Sequence, residues 1–196
     1  MKDAPTPPED ARPPSISRVF TIGHSTREFD EVLEMLHENG VTHLVDVRSL
    51  PGSKRFPQWN RETIAENIPP DISYRWMPKL GGRRYTPKGT PSPNGGWRVR
   101  AFRDYADYMA TGQFEEGLTD LMALAEDGPV AIMCSEAVPW RCHRRLITDA
   151  LLARGVEVFD IMGKGASAEA SMTPFAKVEG DSITYPPPGE EQTAAV

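Results

Sequence analysis

The chain has 196 residues, 39% apolar and 26% charged, with a formal net charge of −6, a size and balance that favour one globular domain with a real core. No apolar run approaches the roughly 18–20 residues of a membrane span. Met1–Ser17 lacks the apolar stretch of a secretory signal, so the reading places the protein in the cytoplasm with no membrane partner. Two cysteines exclude a disulfide framework and read as free thiols, ligands or a catalytic pair.

Residues 1–17 carry five prolines within the first sixteen positions and are read as a disordered tail, as are residues 186–196. Between them, 18–185 reads as one α/β domain. Arg18–Ile22 predicts the first strand. Ser25 and Glu28 fit a capping box, and Phe29, Val32, Leu33 and Leu36 recur at helical spacing. Gly40 is expected to close that helix in a left-handed conformation. Val41–Val47 holds the second strand, Asn60–Ile68 a short helix and Ile72–Met77 the third strand.

Pro78–Gly96 is rich in Gly and Pro and reads as loop. Two helices follow, marked by Phe102, Tyr105, Ala106 and Met109, then by Phe114, Leu118, Leu121 and Met122. Val130–Met133 is wholly apolar, as in the middle of a parallel sheet. A helix is expected from about Trp140 to Arg154, a last core strand at Val156–Ile161, and a hairpin over Phe175–Tyr185 around Glu179-Gly180-Asp181. Strands alternating with helices imply an open, mostly parallel sheet of about five strands with helices on both faces.

Charge is unevenly spread. Arg48–Arg103 holds nine Arg and three Lys against three acidic residues, a surplus of nine positive charges. Such a field suits an anionic small molecule, a nucleotide or a nucleic acid. Trp59, Tyr74, Trp76, Tyr85 and Trp97 are interleaved with these cations, as stacking platforms or as packing.

Polar residues cluster after three strands: His24 and Ser25 after the first, Asp46 and Arg48 after the second, Cys134, Ser135 and Glu136 after the apolar fourth. In a parallel sheet these ends share one edge, where ligands of open α/β folds bind. Cys142, expected in the first turn of the next helix behind Pro139, gains thiolate character from the helix dipole and from Arg141 and Arg144. Cys134 or Cys142 is then the reactive thiol and Glu136 or His24 the acid/base. Arg48, Arg83, Arg84 and Arg144 grip the anion, with Ser25, Asp46, Tyr85 and His143 beside them. A metal site is not expected: the C-x7-C-H spacing is not a standard zinc pattern, and Cys142 and His143 on one helix would point about 100° apart. No cofactor is named by the sequence.

TIGHSTREFDEVLEMLHENGVTHLVDVRSLPGSKRFPQWN, GGRRY at Gly81–Tyr85 and MCSEAVPWRCHRRLI together resemble the domain-of-unknown-function 488 family from about Val19 to Gly163. The family's pattern carries over onto Gly23, His24 and Ser25, onto Asp46, Arg48 and Pro51, and onto Cys134, Glu136, Pro139, Cys142, His143 and Arg144. A weaker similarity is to rhodanese-type sulfurtransferases, in the Asp-Val-Arg after an early strand and a cysteine after a central one. The loop holding Glu136 and Pro139 departs from their short anion cradle. The reading is therefore a thiol-dependent enzyme acting on an anionic substrate such as a nucleotide or nucleic acid. The alternatives are a non-catalytic nucleotide- or nucleic-acid-binding module, and a sulfurtransferase or thiol-redox protein.

Overall fold

A computed structural model describes residues 18–188. The tail expected at 1–17, and all of the second tail but Pro186–Pro188, lie outside the described residues.

The first strand, β1 (Val19–Gly23), feeds helix α1 (Phe29–Glu38), which returns the chain to β2 (His43–Asp46). Gly40 (φ 65°) reverses the backbone between them as expected. A 3₁₀ turn at Pro57–Trp59 precedes α2 (Arg61–Asn67), and β3 (Ser73–Trp76) follows. Helices α3 (Arg100–Met109) and α4 (Gly112–Asp127) lead to β4 (Val130–Cys134). After a 3₁₀ turn at Pro139–Arg141 come α5 (Arg144–Ala153), β5 (Val158–Gly163) and β6 (Ala166–Glu169). Strands β7 (Lys177–Glu179) and β8 (Ser182–Thr184) form the expected C-terminal hairpin.

The main sheet runs β3-β2-β4-β1-β5-β6. The first five strands are parallel, and β6 pairs antiparallel with β5. The sheet therefore has one strand more than the sequence suggested. Ala166–Glu169 is exposed along its whole length, so it carries no apolar alternation to read.

Alternate residues of each strand feed two cores, as the two-residue repeat of a strand requires. Ala131 and Met133 of β4 join Phe20, Ile22 and Leu44 beneath Val32, Met35 and Leu36 of α1 and Ile64 of α2. Val130, Ile132 and Cys134 face the other way, toward Tyr105, Leu118, Leu121, Leu146 and Ile147 of α3, α4 and α5. Helices thus cover both faces. β4 and β1 lie at the centre, where the chain, having built outward through β2 and β3, turns to build β5 on the other side.

Two local expectations change. The Ser25–Glu28 capping box is not formed: Glu28 is the N-cap without a side-chain cap bond. Ser25 instead sits at φ 49°, its N–H donating to the Ser135 carbonyl. A Cβ at Gly23 would fall 1.8 Å from the Glu136 carbonyl oxygen, so the β1 and β4 ends pack backbone to backbone and dictate the turn. The second change concerns α5, which starts at Arg144 rather than Trp140. Cys142 ends the preceding 3₁₀ turn in extended backbone (φ −129°, ψ 147°), and His143 is the N-cap.

Candidate functional site: a paired-thiol cavity at the carboxyl edge of the sheet

The three strand ends do converge. The N–H of His24 donates to the Cys134 carbonyl and that of Val47 to the Met133 carbonyl. One cluster forms on each face of this edge.

On the α1/α2 face, Asp46 is wholly buried and takes three bonds from Arg48: from its N–H at 3.0 Å, from Nε at 2.9 Å and from Nη2 at 2.6 Å. Tyr74 donates its hydroxyl to the same carboxylate at 2.8 Å. His24, 4% exposed, stacks on Trp59 with ring centroids 4.6 Å apart. Its Nδ1 lies 3.0 Å from the Ser25 carbonyl, which only accepts, so Nδ1 carries the proton and Nε2 accepts from Arg48 Nη1 at 3.3 Å. Burial, then the Arg48 charge, lowers the His24 pKa to about 4. A neutral imidazole with both nitrogens engaged holds Arg48 in place; it does not present a free base.

On the opposite face lie the thiols. Cys134 leaves β4 and Cys142 precedes α5; both are buried and unbridged. His143 Nε2 is 2.9 Å from the Val47 carbonyl, which fixes the proton there and leaves the Nδ1 lone pair facing both sulfurs. Nδ1 is 3.7 Å from Cys142 Sγ and 3.9 Å from Cys134 Sγ. Arg144, 1% exposed, donates Nε to Cys142 Sγ at 3.4 Å, Nη1 to Thr21 Oγ1 at 3.1 Å and Nη2 to the Glu136 carbonyl at 2.5 Å.

The two thiols are driven apart in acidity. Interaction with the neighbouring Cys134 thiol lowers Cys142 to about 6 against the effect of burial, with Arg144 acting in the same direction. The same interaction between the thiols, with burial, pushes Cys134 up to about 12. The direction of these shifts favours the proton on Cys134 and the negative charge on Cys142.

A cavity of about 250 Å³ opens over the pair, lined by Arg48, Arg83, Arg141, Glu136, Phe102 and Gly82 as well as by Cys134, Cys142 and His143. Glu136 and Arg141 stand exposed on its wall. Of the expected anion-gripping residues, Arg84 is engaged elsewhere: it donates to the carbonyls of Pro78, Lys79 and Gly81 and lies 3.7 Å over the Tyr108 ring. Tyr85 is 75% exposed and away from the cavity lining, and Arg144 serves the thiol. Among the residues that line the cavity, the sequence reading had given Gly82 and Phe102 no part in a site, and Arg141 only a charge beside the thiol.

Packing also claims the aromatic residues. Trp59 and Trp97 are buried, and Trp59 and Trp76 donate their indole N–H to the Arg27 and Arg48 carbonyls. Tyr74 is bound to Asp46. No helix among the described residues is long and apolar enough to cross a membrane.

Fold and site together define an open, mostly parallel α/β protein with a dithiol–imidazole centre at the topological switch of its sheet. The family model described as Domain of unknown function DUF488 matches residues 28–151, more than half of the chain, and the protein belongs to that family. The match spans Asp46, Arg48 and the whole thiol centre, and begins just after His24 and Ser25. It does not extend to the sulfurtransferases. No curated protein and no solved structure matches the chain.

Proposed function

We propose that the protein is a cysteine-dependent enzyme acting on a small anionic substrate, with Cys142 as the nucleophile. The observation that carries this reading is the placement of an Arg144-bonded cysteine sulfur in the lining of a cavity that also holds Arg48, Arg83 and Arg141. A thiolate, not a thiol, is the attacking species, and a thiol lowered to about 6 is ionised at neutral pH. Cys134 is the neighbouring second thiol, its sulfur within 4.8 Å of Cys142 Sγ. His143 Nδ1 is the base within reach of both sulfurs, and Glu136 on the cavity wall is the acid/base nearest solvent. His24 and Asp46 are positioning residues that act through Arg48.

The size of the cavity favours a small acid or a phosphate group over a whole nucleotide, since drug-sized ligands occupy roughly 300–1,000 Å³. Packing of the tryptophans argues in the same direction, because a single strand needs exposed aromatic faces to stack on.

The test compares two alkylating reagents of matched shape, anionic iodoacetate and neutral iodoacetamide, with modification read by mass at Cys142. The expected result is a rate ratio favouring iodoacetate beyond that of a free thiol. The ratio should fall with added salt and in Arg83→Ala/Arg141→Ala. A ratio equal to that of a free thiol in both proteins, or a Cys142 that reacts with neither reagent, would overturn the proposal.

A further inference from the structure

We infer that Cys134 Sγ, Cys142 Sγ and His143 Nδ1 form a three-ligand site for a zinc ion, with the fourth position open to the arginine-lined cavity. The inference is independent of the nucleophile reading: metal-free, the site offers Cys142 as a thiolate; loaded, it uses the same sulfur as a ligand.

The donor set and its spacing carry the argument. All three ligand atoms lie within 4.8 Å of one another, and all three residues are buried. Tetrahedral zinc with Zn–S of about 2.3 Å and Zn–N of about 2.0–2.1 Å requires ligand atoms about 3.6 Å apart from S to N and about 3.8 Å from S to S. The S-to-N distances are 3.7 and 3.9 Å and the sulfurs lie within 4.8 Å of each other, so an ion at the centre draws the imidazole in by a few tenths of an ångström and the two sulfurs together by up to about 1 Å.

One of the two arguments against a metal rested on Cys142 and His143 sharing one helix. They do not. Cys142 is extended and His143 is the αR N-cap, which turns adjacent side chains toward one point. Cys134 arrives from a different strand altogether.

The surroundings suit the ion as well. Metal-bound histidines donate their second ring nitrogen to a carbonyl or carboxylate, which fixes the tautomer and raises the basicity of the ligand; His143 Nε2 does this toward the Val47 carbonyl at 2.9 Å. Arg144 Nε supplies the outer hydrogen bond to Cys142 Sγ at 3.4 Å. Thiolate and imidazole together favour zinc over the hard cations, which prefer oxygen. Three protein ligands and one open position is the coordination pattern of zinc sites that admit water or substrate. Here Arg48, Arg83 and Arg141 would hold an anionic fourth ligand against the ion.

The test loads the full chain, stripped of metal with chelator, with Zn²⁺ or Co²⁺. The expected result is one ion per chain by native mass spectrometry, and cobalt absorption with thiolate charge-transfer bands and the intensity of tetrahedral coordination. Cys134→Ala and His143→Gln should each weaken zinc binding by more than about 100-fold, beyond the roughly 10–100-fold that outer-shell partners carry. Wild-type protein alkylated at both thiols should lose the cobalt bands, a readout that needs no folded variant. Failure to bind one equivalent, or cobalt bound without thiolate bands, would overturn the inference.

Iodoacetamide separates this result from the nucleophile reading. Zinc should protect Cys142, and binding without protection overturns the site. A metal-free Cys142 that is reactive in a protein binding no zinc would remove the metal inference and leave the nucleophile standing. Binding with an unreactive metal-free Cys142 would do the reverse.

Discussion

Replacing Cys134 with alanine removes the largest influence on the Cys142 thiolate. Interaction with the Cys134 thiol is the first cause that lowers Cys142 to about 6, with Arg144 acting in the same direction. A hydrogen bond to a charged group contributes about 1.5–3 kcal/mol, and one pKa unit corresponds to about 1.4 kcal/mol. The Cys142 midpoint should therefore rise by about one to two units, from about 6 to between about 7 and 8. At pH 6 the thiolate fraction falls from about one half to between about one tenth and one hundredth. Each remaining thiolate is more nucleophilic because it is more basic, so the midpoint of the profile is a better measure than the rate at one pH. The assay follows iodoacetamide modification of the Cys142 peptide by mass across the pH range, with ultraviolet thiolate absorbance as a second readout. A wild-type midpoint near the ordinary 8.5, or a Cys134→Ala midpoint unchanged from wild type, would refute the reasoning.

Two further outcomes follow from the buried charges. His24 is lowered to about 4 from an ordinary 6.5, so between those values the unfolded chain binds the proton that the folded chain refuses. Its contribution is complete above about 6.5 and lost as pH falls toward 4, up to roughly 3 kcal/mol. Urea unfolding at pH 7 and pH 4.5 should show a smaller acid loss for His24→Gln than for wild type, and equal losses would reject this role. Arg48→Met strands a fully buried Asp46 and should cost about 3–5 kcal/mol, while Asp46→Asn/Arg48→Met should recover much of it. A double variant no more stable than the single one would show that the ion pair is not what holds this edge.

The β1-α1-β2 opening was legible because its signals are local: an apolar run, a helical face at α1 and Gly40 at its end. The convergence of His24, Arg48 and Cys134 was legible too, because a parallel sheet places every strand end on one edge. What local spacing could not supply was the backbone between Pro139 and Arg144. Proline at the first position of a turn is equally compatible with an α-helix and with the 3₁₀ turn found here, yet the choice decides whether Cys142 and His143 diverge or meet. The Ser25–Glu28 pattern failed for a tertiary reason, the close contact of Gly23 with the Glu136 backbone, of which a capping motif carries no trace. Strand β6 failed for the opposite reason, having no buried face to leave a pattern.

Counting cations along Arg48–Arg103 overstates what an anion meets, because an arginine side chain satisfies carbonyls as readily as it binds ligands. Arg84 is used on three carbonyls and a tyrosine ring, and Arg100 on the Thr86 carbonyl and Asp104. Arg61 lies over Trp76 at 4.5 Å. Arg48 reaches the cavity, but its charge is neutralised by Asp46 at 2.6 Å. The field at the mouth therefore comes chiefly from Arg83 and Arg141. With Cys142 as the thiolate that the proposal requires, bonded by Arg144, an incoming anion would be attracted by two exposed cations and repelled by one buried thiolate. That balance favours a substrate whose charge sits at one end, held at the rim, with its electrophilic atom projecting toward the sulfur. A dianion reaching the thiolate itself would face the repulsion undiluted. On the proposed reading, selectivity at this centre would be set by how far the charge of the substrate lies from its reacting atom, and less by the total charge of the long basic segment.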